Sequence, residues 1–163
     1  MTNIIVNTSR FGEVTVDENR VIHFVEPILG FESTRRYVIL DHSEDSPFKW
    51  LQSVDDPELA FVITSPRFFG LDYEITLSDD TVNQLQLQAA EDSVVLTIVN
   101  IPQEDPSKMT TNLLGPIVIN QNIRKAMQVV LHDSPYSTKT RLIPDELLQQ
   151  QQTAGSPSVR KGD

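Results

Sequence analysis

The feature that most limits what this chain can become is a series of short β-forming runs joined by brief links. Such runs, rich in Val, Ile, Tyr, Phe and Trp and bounded by Pro, Asp and Asn, read as strands. Ile4-Ile5-Val6 opens the series. Val14-Thr15-Val16, the polar turn Asp17-Glu18-Asn19 and Val21-Ile22-His23-Phe24 read as a hairpin. Further strands are expected from Tyr37 to Leu40, Phe48 to Val54, Leu59 to Thr64 and Tyr73 to Leu77. Later ones follow from Val94 to Ile101, Pro116 to Asn120 and Met127 to Leu131. Pro47, Asp56-Pro57, Pro66 and Asp105-Pro106 stand in the connections, where they end ladders and set turns. A parallel crossover needs about a dozen residues or more, which these links lack. The expected fold is therefore mostly all-β, a small antiparallel barrel-like domain that closes on itself to protect its edges.

One short helix interrupts the strands. Ser78 is a good N-cap, Asp79 and Asp80 complement the first turn, and Val82 and Leu85 share a face. The helix is expected to stop before Asp92. After Ile143 the composition changes. Pro144 to Leu148 reads as a short helical start, and the glutamines 149–152 with the residues after them lack the apolar content of a core. The expected organisation is one domain over residues 1–143 and a Gln-rich flexible tail over 144–163, within a length of 163 that suits a single core.

Charge narrows the partners. The formal net charge is −10, and residues 41–80 hold ten acids against Lys49 and Arg67. That window repels phosphate backbones and anionic membranes and attracts basic surfaces, so neither direct nucleic-acid binding nor membrane binding is expected. There is no cysteine, which excludes disulfides, thiolate metal sites and a cysteine nucleophile. The first residues show no apolar h-region and the apolar runs are strand-length, so a cytoplasmic protein is expected.

The search for chemistry finds little. His23, His42 and His132 are far apart, and no serine stands in a Gly-x-Ser-x-Gly elbow. The six glycines form no phosphate-cradling cluster. Asp41 to Asp45 lacks the central glycine of a calcium loop, and Asp55-Asp56-Pro57 reads first as turn chemistry. The expectation is a protein without enzymatic activity, cofactor or metal. The alternative from another class is a ligand- or carbohydrate-binding β-barrel that uses paired carboxylates such as Asp55 and Asp72.

Several blocks carry a family resemblance. Ser46-Pro47-Phe48-Lys49-Trp50-Leu51-Gln52-Ser53-Val54 with Asp55-Asp56-Pro57-Glu58-Leu59-Ala60-Phe61 resembles the FliW flagellar assembly factors. So do Phe11-Gly12-Glu13, Asp72-Tyr73-Glu74, Thr111 to Asn120 and Gln128-Val129-Val130-Leu131. The likeness runs in order from about Ile4 to Arg141. Pro27-Ile28-Leu29-Gly30-Phe31 departs from the family's usual Gly-Ile-Pro-Gly-Phe, and Ala126 stands where a glycine is common.

The resemblance implies a monomeric regulatory protein with two partners. One is flagellin, bound in the cytoplasm before export. The other is CsrA, a small basic RNA-binding dimer that represses translation of flagellin message and that FliW-type proteins antagonise. An RNA mimic competing directly for a basic groove is a further possibility within this class. The contact is expected to centre on Glu74, flanked by Asp72 and Tyr73, with support from Ile101 and Pro102. Tyr73 and Ile75 facing inward would turn Glu74 outward, and Pro102 marks the end of a ladder beside an apolar rim.

Overall fold

A computed structural model describes residues 2–41, 43, 45–132 and 134–144. His42, Glu44, Asp133 and residues 145–163, where the flexible tail is expected, lie outside the described residues. The strands are β1 (Asn3–Thr8), β2 (Gly12–Asp17), β3 (Ile22–Phe24), β4 (Arg36–Asp41), β5 (Phe48–Ser53) and β6 (Ala60–Thr64). After the helix α1 (Asp79–Gln84) come β7 (Ser93–Asn100), β8 (Thr110–Thr111), β9 (Ile117–Asn120), β10 (Lys125–Gln128) and β11 (Thr140–Arg141).

Seven strands close a barrel in the order β7-β6-β5-β4-β3-β10-β9, and β9 returns to β7. Six of its pairings are antiparallel, but β3 and β10 run parallel through Lys125↔His23 and Ala126↔Phe24. Parity gives the reason. Alternating directions around a ring of odd strand number leave one pair pointing the same way. The limit on short links holds for consecutive strands, whereas this seam joins strands distant in sequence. Ile22, Phe24, Ile28, Tyr37, Leu51, Ile63, Ile117 and Ile119 are buried together as the barrel core. Ala126 is fully buried at the parallel seam, opposite Phe24.

The expected hairpin between Val14–Val16 and Val21–Phe24 does not form. Instead β1 pairs with β2, from Asn3↔Asp17 to Thr8↔Gly12. Asp17 then accepts the N–H of Asn19, capping a 3-10 turn over Glu18–Arg20 that carries the chain into the barrel. Val6, Val16 and Ile4 of the hairpin pack with Val21, Val38, Leu40 and Val54 on the barrel's outside. The hairpin tip covers Trp50: the Arg10 guanidinium sits 4.4 Å above its ring, and Phe11 meets it edge-on.

A second difference lies between β6 and α1. Tyr73 to Leu77, expected as a strand, joins no ladder. The alternation survives, with Tyr73 buried, Glu74 and Thr76 exposed, and Ile75 and Leu77 half-buried. The segment is an extended wall, not a rung of the sheet. The helix is as expected at its start, where Ser78 Oγ accepts the Thr81 N–H at 3.2 Å, and it ends at Gln84, before Asp92. Leu85, directly after it, is fully buried.

Candidate protein-binding face

The face begins where β6 stops. Thr64 is the last residue paired with β7, and Pro66 opens a 3-10 turn over Pro66–Phe69. Proline suits that position because its fixed φ matches the turn and its missing N–H costs nothing there. Gly70 ends the turn at φ +77, a left-handed conformation that favours glycine. Leu71 then packs against the cluster of Val99, Met109 and Leu142. Ile75 and Leu77 pack, with Val95, against the cluster around Tyr73, Leu85 and Val118. The segment is thus laid from the Val99 end of β7 towards its Ser93 end.

Tyr73 pins the segment. It is 5% exposed, and its hydroxyl donates to the Leu113 carbonyl at 2.6 Å. Its ring meets that of Tyr136 edge to face, with centroids 4.8 Å apart. Burial pushes the Tyr73 hydroxyl well above the ordinary tyrosine range, and Tyr136 adds to the shift, so this group stays neutral. Arg67 Nη2 donates to the Tyr73 carbonyl at 3.3 Å. The Tyr136 hydroxyl bonds both main-chain groups of Glu74. Glu74 is consequently an exposed acid on a fixed backbone. Among the described residues no cation pairs with it, whereas Asp55 pairs with Arg36 and Asp41 with Lys49.

The expected residues fall in two places. Asp72, Tyr73 and Glu74 are consecutive on the wall, with Asp72 exposed and Tyr73 turned inward to hold its neighbours. Ile101 and Pro102 follow the end of β7 at Asn100, and Ile101 is 37% exposed. Leu71, directly before Asp72, packs against both the cluster of Val99, Met109 and Leu142 and the cluster around Tyr73 and Leu85. Sequence reasoning missed Arg67 and Tyr136. Tyr136 lies 62 positions from the residue it holds, and no local pattern signals that pairing.

Behind Glu74 lies a solvent-open cavity of about 790 Å³, walled by Glu74 to Leu77 on one side and by Ser93 and Val95 on the other. Its lining holds one carboxylate, Glu74, and neither Asp55 nor Asp72. Asp55 is engaged by Arg36 in the turn after β5. The two acids of the carbohydrate-binding alternative therefore do not share this cavity. Among the described residues no group of three or more His, Asp or Glu side chains is placed to hold a metal ion. No helix of the described residues is long and apolar enough to cross a membrane.

Fold and face together define a class: a small closed β-barrel with an acidic outer segment. A family model described as FliW protein matches residues 5–142. The flagellar assembly factor FliW of Magnetococcus marinus is 39% identical over 145 residues, 89% of this chain and 88% of its own. That of Caldicellulosiruptor saccharolyticus is 45% identical over 132 residues, 81% of this chain and 86% of its own. A crystal structure of the flagellar assembly factor FliW superposes with a TM-score of 0.80 at 35% identity, covering 86% of this chain and 98% of that one. The chain belongs to the FliW family, whose members are assembly factors and not enzymes.

Proposed function

We propose that this chain serves flagellar assembly by binding flagellin in the cytoplasm and antagonising the translational repressor CsrA, so that flagellin translation follows assembly. Family membership supports the role in flagellar assembly. The observation that carries the choice of a basic second partner is Glu74, an exposed acid that no cation among the described residues pairs with, fixed by Tyr136 inside the acidic window of residues 41–80. A preplaced charge loses little freedom on binding, and an acidic field speeds encounter with a basic surface. Ile101 and Pro102 would supply the apolar rim, and Asp72 further charge. The protein would act as a monomer.

The test is a titration of the purified full chain with CsrA, with flagellin, and with both together. Saturable binding to each, and displacement of CsrA by flagellin, is the expected result. Absence of binding to either protein would overturn the proposal.

A further inference from the structure

One wall of the cavity is a strand edge that no strand of the described residues pairs with. β7 is paired on one side with β9 over Ser93 to Leu96, and on the other with β6 only over Thr97 to Val99. The phase of the ladder decides which groups face the gap. The Gln121 N–H reaches the Asp92 carbonyl, so Val94 and Leu96 point their main-chain groups at β9, while Ser93 and Val95 point theirs away. Ser93 N–H is taken by the Ala90 carbonyl. The N–H and C=O of Val95 and the C=O of Ser93 therefore face the cavity, and no strand of the described residues meets them. Across the gap, Ile75, Thr76 and Leu77 form no backbone hydrogen bond among the described residues.

The gap is the line that β6 would follow had Pro66 not turned the chain out at Ser65. An open edge is a template for another strand, and native proteins cover such edges or use them. The four residues Ser93 to Leu96 offer a track of about 13 Å at the usual rise. Pro66, Ile75, Leu77, Val82 and Leu87 give the walls their apolar character. Charge indicates what enters. Glu74 lines the slot, and Asp72, Asp79, Asp80 and Glu91 flank its walls in sequence, against Arg67 alone.

We propose that this slot is a strand-addition site that takes an extended segment of a partner protein, with apolar residues alternating with lysine or arginine. Its main chain pairs with Val95 in the line left by β6. Its apolar side chains enter the slot and its cations meet the acidic rim. This mode is one of the recurring ways in which peptides are recognised: the ladder gives affinity and alternate side chains give selectivity. The inference concerns how a segment is held and rests on no choice between CsrA and flagellin.

The test uses the full chain, labelled for NMR, and the peptide acetyl-Lys-Val-Lys-Val-Lys-amide as probe. At saturation the exchange of the Val95 amide should slow at least tenfold. Of two peptides N-methylated at the lysines or at the valines, at least one should lose tenfold or more in affinity, and glutamate in place of lysine should do the same. An unchanged Val95 exchange rate, or full affinity in both methylated peptides or in the glutamate peptide, would overturn the proposal. So would a Val95 amide already protected in the dilute free chain, or protected by raising protein concentration alone. Those results would assign the slot to the chain itself or to a second copy. The assay contains neither CsrA nor flagellin, so its failure is separate from failure of the proposed function.

Discussion

The hydroxyl of Tyr136 accepts the N–H of Glu74 at 3.3 Å and donates to the carbonyl of the same residue at 3.1 Å. One side chain thus satisfies both main-chain groups of an extended residue that no strand partners. The Tyr136 ring leans on Tyr73, so the clasp is itself anchored in the cluster around Tyr73 and Leu85. The consequence is positional: the acid at 74 stands on a backbone held from both sides.

Replacing Tyr136 by phenylalanine keeps the ring contact and deletes the clasp. A loss of about 1 kcal/mol in stability is expected, the usual net worth of a hydrogen bond of this kind. Chemical denaturation measures that loss, and amide exchange at Glu74 should quicken in parallel. Exchange unaltered at Glu74 would show that packing alone fixes the segment.

Alkaline pH should loosen the same region. Burial raises the folded-state pKa of Tyr73, and that of Tyr37 moves the same way for the same first cause. A pKa raised in the folded state means that the folded chain keeps its proton where the unfolded chain loses it. The stability is therefore fully present below about pH 10, the unfolded tyrosine value, and falls as pH rises above it. Melting temperatures between pH 9 and 11.5 should decline, and the decline should be shallower in a Tyr73→Phe variant. Tyr37 keeps it from vanishing.

Asn120 ties the end of α1 to the barrel. It is 2% exposed, and its Nδ2 donates to the Leu85 carbonyl at 2.8 Å and the Gln86 carbonyl at 3.2 Å. Its Oδ1 accepts the Asn122 N–H, and Gln86 holds a left-handed φ of 55. Asn120→Ala strands a buried carbonyl and should cost about 1–3 kcal/mol. A shift of the denaturation midpoint without a change in slope would match this; no shift would mean that water replaces the amide.

Much of this architecture was legible because alternation and turn residues are local. β4, β5, β6 and β9 stand within a residue or two of the expected runs, and the Ser78 cap is where its residue type put it. What escaped depends on contacts distant in sequence. Val14–Val16 has the pattern of a strand, but pattern does not name a partner, and β1 outcompetes β3 through a six-residue register. Tyr73 to Leu77 alternates like a strand because one side of it is buried, yet Pro66 and Gly70 keep it off the edge of β7. The acid at 74 was legible as exposed; the tyrosine that fixes it was not.

Screening bears on the acidic window. If that window draws in CsrA, the association rate should fall as salt rises, since charges are screened over about 8 Å at physiological ionic strength. Stopped-flow mixing across a salt series measures this. A flat series would leave the acids of residues 41–80 as a solubilising surface only.

The most direct test of the account is the affinity of a Glu74→Lys variant for CsrA. Glu74 is exposed and without a cation among the described residues, so the reversal should leave circular dichroism and melting unchanged. Binding should weaken by roughly 2–5 kcal/mol, thirtyfold or more, if the acid is paired and desolvated in the complex. An affinity equal to that of the parent chain would contradict the account and move the contact away from Glu74.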